Sequence, residues 1–405
     1  MDVEASVEAQ FSSSLSYALS CLKCKDMKLK DKQVEAMQAV YDGDDVFLWL
    51  PTGYGKSVCY QAIPFLFDHK LGRKDLPAGR HSVCIVISPL ISLMVDQVTR
   101  LRSVGVRCAI LSGSSGVDKS LLASVEDVRV GDYSLLFTAP EAIVHGDHWR
   151  NMLSEEPLHS RVVALAVDEA HCVYKWGTDF RPCYARIHEL RSLVPSSTPM
   201  LAATATVTRS SLSLIVKQLN IVEYCLIYVS PERPNIYYEV KQRTTIEQDL
   251  VDILTDIKMN SINAKRVIVY CQSLNMCSDL YAHFLYKLGE SSYYPTGAPK
   301  VSSNRLFGMY HSGTADHNKD VIVKSMSDAK GVVRVAFATV ALGMGVNFAD
   351  LNRIIHYGAP RSLDNHLQEC GRAGRSGDQA YSTIYIGALV MLLCTRILQI
   401  STSRK

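Results

Sequence analysis

The sequence predicts an α/β protein of two consecutive units, each built on a mostly parallel sheet, and three observations carry that expectation. Short apolar runs at 46–50, 83–87, 134–138 and 162–167 each end on polar or Gly/Pro residues, and helix-length stretches such as LISLMVDQVTRLRSVG (90–105) lie between them. Strand, loop, helix and strand in alternation give parallel strands whose functional loops gather at their C-terminal ends. The pattern pauses at the proline-containing stretch SPERPNIYYEV (230–240) and restarts with RVIVYCQS, LFGMYHSG, VRVAFAT and RIIHYGAP. A chain of 405 residues also exceeds what one core comfortably organises.

Taken in order, residues 1–28 form an N-terminal extension, 29–229 a first domain, 230–383 a second and 384–405 a short tail. The stretch 230–240 is either the linker or the first edge of the second unit. Hydrophobic residues make up 47% and charged residues 20%, with no low-complexity tract. A net charge of +3 says little about partners, and a nucleic-acid-binding surface would be a local patch, not a property of the whole chain. Twelve cysteines, many inside apolar runs, read as reduced thiols of an intracellular protein, not a disulfide framework. Cys21-x-x-Cys24 has no second Cys/His pair at ligand spacing and stays unassigned. The acidic start MDVEASVEAQ lacks the parts of a signal peptide, and IYIGALVMLLC (384–394) is too short to span a bilayer. No membrane partner is expected.

The first chemical signal follows the run VFLWL. In PTGYGKSVCYQ (51–61), Gly53-Tyr54-Gly55-Lys56-Ser57 completes a phosphate-binding turn, although Leu50 stands where the strict pattern has its first glycine. Backbone amides of such a turn, with Thr52, Gly53 and Gly55, can cradle phosphate at a helix N-terminus. Lys56 would reach the β- and γ-phosphates, and the Ser57 hydroxyl would ligate Mg²⁺. The plainer alternative is a glycine-rich turn with a solvated lysine. The second signal, VVALAVDEAHC (162–172), weighs against it. Two carboxylates directly after a strand too apolar to be an edge call for a cation: Asp168 holds the Mg²⁺ shell and Glu169 faces the attacking water. Together they predict a nucleoside triphosphatase using ATP and Mg²⁺.

Positive charge facing the γ-phosphate is expected from QECGRAGRSG (368–377), where Arg372 and Arg375 lie in the second domain, which has no phosphate-binding turn of its own. An arginine supplied across an interface stabilises transition-state charge; the alternative is an ordinary basic surface turn. In CVYKWGTDFRPCY (172–184), Trp176 and Phe180 can stack on bases while Lys175 and Arg181 meet phosphates. Anchoring the loop on the domain core is the other reading of those two aromatics. Ser/Thr-ended strands (VISP, LFTAP, YHSG, FAT) could bond a nucleic-acid backbone, which carries little sequence information.

Over about residues 29–380 the chain resembles the two-domain motor core of the RecQ family of DNA helicases, within superfamily 2. The matching stretches are PTGYGKSVCYQ, SPLISLMVDQV, DEAHCVYKWGTDFRPCY, LAATAT, MYHSGT, VAFATVALGMGVNFADLNRIIHYGAP and QECGRAGRSG. The aromatic-rich loop after the DEAH box discriminates most. The resemblance implies two tandem RecA-like domains and a DNA-stimulated ATPase that translocates 3′ to 5′ on single strands and unwinds duplexes. It implies single-stranded and partly duplex DNA as partners, a monomer, and the nucleus if the source is eukaryotic, with a part in repair or recombination. Gln33 resembles the glutamine that reads adenine, and Arg375 the arginine finger, with Arg372 a second phosphate-side arginine. His171, Thr204 and Thr206 resemble couplers between the ATP site and the DNA track, and Trp176, Phe180 and Arg181 the single-strand sensor. Leu29 and Lys30 replace the aromatic and arginine usual before the glutamine, while Lys175 and Thr178 replace a glutamine and a histidine in the loop. After about residue 380 there is no cysteine cluster and no room for a winged helix, so ATPase activity is expected to outlast strong unwinding. An RNA-directed superfamily 2 ATPase and a catalytically weak binding protein are the alternatives; intact Lys56, Asp168, Glu169 and Arg375 speak against the second.

Overall fold

Seven parallel strands make the first sheet: β1 (Val46–Trp49), β2 (Val83–Ile87), β3 (Cys108–Leu111), β4 (Leu135–Thr138), β5 (Val162–Val167), β6 (Met200–Thr204) and β7 (Cys225–Tyr228), in the order β3-β4-β2-β5-β6-β1-β7. The computed structural model describes residues 2–77, 80–111, 118–131, 133–177, 181–230, 232–339, 342 and 348–388, with backbone alone for 2–7 and 175–177. Every residue of β2 and β5 is buried, as strands covered on both faces require, which is why VCIVI and VVALAV read as unbroken apolar runs. Four helices position the site: α1 (Asp2–Cys21), α2 (Asp31–Asp42), α3 (Lys56–Lys70) and α4 (Ile91–Ser103). Phe11, Ala18 and Leu22 of the N-terminal segment share a core with Met37, Val40, Ile63 and Leu66. Ser14 Oγ adds polar contacts, 3.1 Å from the Tyr41 hydroxyl and 2.9 Å from His69 Nδ1. The segment set apart as an extension is thus packed into the first unit.

The chain divides into the units Met1–Pro231 and Glu232–Lys405. The second sheet is also wholly parallel: β8 (Ile236–Gln242), β9 (Arg266–Cys271), β10 (Phe307–Tyr310), β11 (Val335–Ala338), β12 (Leu351–Tyr357) and β13 (Ala380–Ile386), ordered β10-β11-β9-β12-β13-β8. Strand β8 begins within the stretch that read as linker or first edge, and it is an edge strand. Three strands carried no clear signal in the sequence. β3 and β7 are four-residue edge strands, and β13 mixes polar with apolar residues without a regular period and runs three residues past the boundary drawn at 383. Among the described residues no cysteine is joined in a disulfide, and most are buried. Among the described residues no helix is long and apolar enough to cross a membrane.

Candidate active site

Strand β1 lies between β6 and the edge strand β7, so the turn Pro51–Gly55 leaves the C-terminal edge of the sheet one strand in from its side. Gly53 (φ 81°) and Gly55 (φ 92°) take left-handed conformations that side chains resist. A Cβ on Gly55 would also lie 2.5 Å from Gln33 Nε2, so glycine is required twice over. The helix α3 starts at Lys56 and aims its first amides at the turn. Leu50, in place of a glycine, is fully buried; its amide bonds Thr204 O at 3.1 Å and its carbonyl accepts from Lys56 Nζ at 3.1 Å. It therefore serves as one more strand residue, and the turn begins after it.

Gln33 is buried beneath this turn. Its Nε2 donates to the carbonyls of Tyr54 and Gly55, each at 3.0 Å, and its Oε1 accepts from Lys30 N at 2.8 Å as a capping box for α2. Both ends of the amide that the resemblance assigns to adenine are engaged by protein, so Gln33 braces the phosphate turn here. Lys30, the departure from the family pattern, places Nζ 4.0 Å over the Tyr54 ring and ties the same turn from outside.

Asp168 and Glu169 follow β5. Asp168 is buried, its Oδ1 accepts from Glu169 N at 3.0 Å, and its Oδ2 lies 3.0 Å from the Tyr60 hydroxyl. That hydroxyl also lies 3.0 Å from Gln97 Oε1 of α4, which accepts from Gln61 Nε2 at 3.1 Å. Burial first, and the Glu169 carboxylate second, push the Asp168 carboxyl up to about 6, against the opposing pull of Lys56 and Tyr60. Glu169 sits at φ 49°, a region that costs a non-glycine residue about 1–3 kcal/mol. Its Oε2 is buried without a hydrogen-bond partner and lies 3.4 Å from His171 Nδ1. His171 Nδ1 is 3.1 Å from Thr204 Oγ1, which donates to Thr206 O at 3.2 Å. With the Thr204 proton so committed, Nδ1 of His171 carries the hydrogen and donates toward Thr204. Glu169, His171, Thr204 and Thr206 thus form one connected line from the acidic pair to the loop after β6.

These residues fit a magnesium nucleotide. A glycine turn forms the cradle, a lysine stands at its helix, and a buried acid and an orphaned carboxylate oxygen lie beside it. Thr52, Gly53, Gly55, Lys56 and Ser57 would hold the phosphates, with Ser57 and Asp168 at the metal, whose charge would offset that of the phosphates. The raised Asp168 also sets a stability prediction. A carboxyl whose folded value lies near 6, above the ordinary 3.9, favours the folded chain below pH 4 and loses that contribution as pH rises through 6. Asp168→Asn is therefore expected to stabilise the nucleotide-free chain at pH 7 by on the order of 2–3 kcal/mol and to have little effect at pH 4. Urea unfolding at the two pH values checks this, and equal changes at both would remove the buried-charge account.

The segment after the DEAH box begins as a helix, His171–Gly177. The Trp176 side chain and all of Phe180 lie outside the described residues. Arg181 is among the described residues. Its Nε and Nη2 make a bidentate pair with the Glu141 carboxylate at 2.6 and 2.5 Å, Nη1 donates to Pro89 O at 2.5 Å, and the guanidinium stacks 4.8 Å over Tyr184. These contacts tie the Arg181 loop to the segments after β2 and β4. Glu141 is 40 residues away in sequence, so no local pattern announces the pair.

In the second unit, Arg372 is buried and Arg375 half-buried on the turn after the helix Leu363–Cys370. Gly374 (φ 59°) has no room for a Cβ, which would lie 2.6 Å from Asn235 Nδ2. Asn235 Nδ2 donates to Gly374 O and Asp378 O, both at 2.8 Å, and Arg233 Nη2 to Gly374 O at 2.7 Å. The stretch SPERPNIYYEV thus grips the arginine turn. Sequence reasoning missed Arg233 and Asn235, and it missed Tyr60 and Gln97. Tyr60 alone left a trace, lying four residues after Lys56 and so on the same face of α3.

Residues 30–215 match the DEAD/DEAH box helicase family, and residues 247–377 match the helicase conserved C-terminal domain. The chain is 32% identical over 356 residues to the ATP-dependent helicase SGS1 of Saccharomyces cerevisiae, covering 88% of this chain and 22% of that protein. It is 31% identical over 365 residues to the ATP-dependent DNA helicase Q1 of Rattus norvegicus, covering 90% of this chain and 54% of that one. It therefore spans between about a fifth and about half of these relatives. Its fold is like that of the DEAD-box helicase Mss116 bound to ssRNA and UDP-BeF, with a TM-score of 0.67, 14% identity, and coverage of 94% of this chain and 75% of that one. With two parallel sheets in two tandem RecA-like domains and relatives of this kind along nine-tenths of its length, the chain belongs to the RecQ family of superfamily 2 helicases.

Proposed function

We propose that this chain is an ATP-dependent 3′–5′ DNA helicase in which hydrolysis drives translocation on single-stranded DNA and unwinding of partly duplex DNA. The observation that carries the reading is the line Glu169–His171–Thr204–Thr206, which joins the hydrolytic carboxylate to the loop after β6 through contacts of 3.1–3.4 Å. A plain nucleotidase has no use for such a line. In a motor, any shift of the Thr204–Thr206 loop on a nucleic-acid strand moves the hydrogen bond that orients His171, and through it Glu169. Lys56 and Ser57 would bind the phosphates with Mg²⁺, Asp168 would hold the metal, and Glu169 would orient and deprotonate the attacking water. Arg375 would act as the arginine finger and Arg372 as a second phosphate-side guanidinium, while Trp176 and Phe180 report single strands. The polarity rests on the family resemblance, as do a monomeric state and, in a eukaryotic cell, a place in nuclear repair or recombination.

Steady-state ATP hydrolysis by the purified chain alone, with single-stranded DNA and with single-stranded RNA, tests it. Stimulation by DNA well above that by RNA is the expected result. The reverse order supports an RNA-directed ATPase, and no stimulation of a folded chain supports a binding protein. For Arg375→Ala, kcat should fall by about 10²–10³-fold with KM changed only a few-fold. Equal losses in rate and affinity would argue against a finger.

A further inference from the structure

The helix Leu363–Cys370 carries His366 and Cys370 four residues apart, and so on one face. Both are buried, and Cys370 Sγ lies 3.4 Å from Nδ1 and 3.6 Å from Nε2 of His366. His356 on β12 completes a group. Its ring meets that of His366 edge-on at 4.8 Å, and one donor atom from each of His356, His366 and Cys370 lies within 4.8 Å of the other two. We propose that these three side chains bind a divalent ion of the zinc class, independently of the ATP site.

Two imidazole nitrogens and one thiolate sulfur are the donors that zinc prefers, and helical i, i+4 spacing with a third ligand from a neighbouring strand is a common way to present them. The state of His356 points the same way. It is 2% exposed, its Nε2 lies 2.7 Å from Glu369 Oε2, and its Nδ1 is buried with no hydrogen-bond partner. Donating Nε2–H to a carboxylate leaves the Nδ1 lone pair for a ligand, the arrangement that orients histidines at metal sites. A cavity of about 360 Å³, lined by His356, Glu369, Tyr270, Gln272, Gly358 and Arg361, reaches the His356 side of the group. On binding, the Cys370 thiol loses its proton to solvent. Its thiolate and the Glu369 carboxylate then offset the ion's two charges. The ion would pin the helix that leads directly into Arg372 and Arg375.

The full chain, stripped with a chelator and dialysed, is titrated with Co²⁺. The expected result is one equivalent bound, with visible bands of a tetrahedral ion and a near-ultraviolet thiolate-to-cobalt band, both lost on adding Zn²⁺. Cys370→Ser should lose the thiolate band, and His366→Gln should weaken binding by at least about 10-fold. A chain with Cys21→Ser and Cys24→Ser should keep the full spectrum. Zn²⁺ should raise the Tm of the wild type by roughly 2 °C or more and leave that of Cys370→Ser unchanged. Metal-free circular dichroism establishes that each variant folds, and His366→Gln decides the matter if Cys370→Ser does not. Absence of the thiolate band, its survival in a folded Cys370→Ser or an unweakened His366→Gln, or uptake of Cu⁺ alone would overturn the assignment.

Discussion

Replacing Glu169 by Gln is expected to lower the rate of ATP hydrolysis by about 10²–10⁴-fold, the range of a lost general base, while ATP binding changes only a few-fold. The substitution keeps size and hydrogen-bonding reach but removes the negative charge whose Oε2 is buried without a partner. It also removes the charge that helps to raise the Asp168 carboxyl, so the variant should be no less stable than the wild type. Rate measurements with saturating ATP, paired with binding of a fluorescent nucleotide, separate the two effects. A variant that turns over normally would take Glu169 out of the chemistry and leave its left-handed backbone without a functional account.

The second large effect is expected at Lys56. Lys56→Ala should reduce turnover by about 10²-fold or more, because an ammonium aimed at the phosphates acts in a partly dry site where it is worth more than in water. The fold should survive. Lys56 is half-buried, and substitutions away from tightly packed cores usually cost less than about 1 kcal/mol. Nucleotide binding and turnover should fall together, in contrast to Glu169→Gln. Retained turnover would remove the phosphate-turn assignment, and with it the reading of Ser57 and Asp168 as the metal pair.

The nucleotide side of the site was legible because its chemistry is local. Lys56 and Ser57 follow one buried strand and Asp168 and Glu169 another, and buried parallel strands announce themselves as apolar runs that stop abruptly. The edge strands β3 and β7 were not legible, since a run of four residues, fully buried in β3 and largely exposed in β7, is too short to stand out from the sequence around it. Gln33, Tyr60, Gln97 and Arg181 belong to a third class. Their residue types were visible, but their partners are 21, 108, 37 and 40 residues away. Gln33 shows what residue type leaves out: the amide that the resemblance assigns to adenine also braces the carbonyls of the phosphate turn.

The order of the two sheets, the phosphate turn, the acidic pair and the family resemblance follow from the amino-acid sequence by itself, because periodicity and short motifs encode what a segment does within about ten residues. Which of those residues touch was decided by the tertiary structure alone. The line from Glu169 through His171 to Thr204 and Thr206 exists because β5 and β6 are neighbours in a parallel sheet. The grip of Arg233 and Asn235 on the arginine turn exists because β8 pairs with β13 at the far end of the chain. The His356, His366 and Cys370 group likewise needs a strand and a helix folded together. Hydrogen bonds and ligand sets depend on distances of about 3 Å between groups far apart in sequence, and only the packed chain sets those distances.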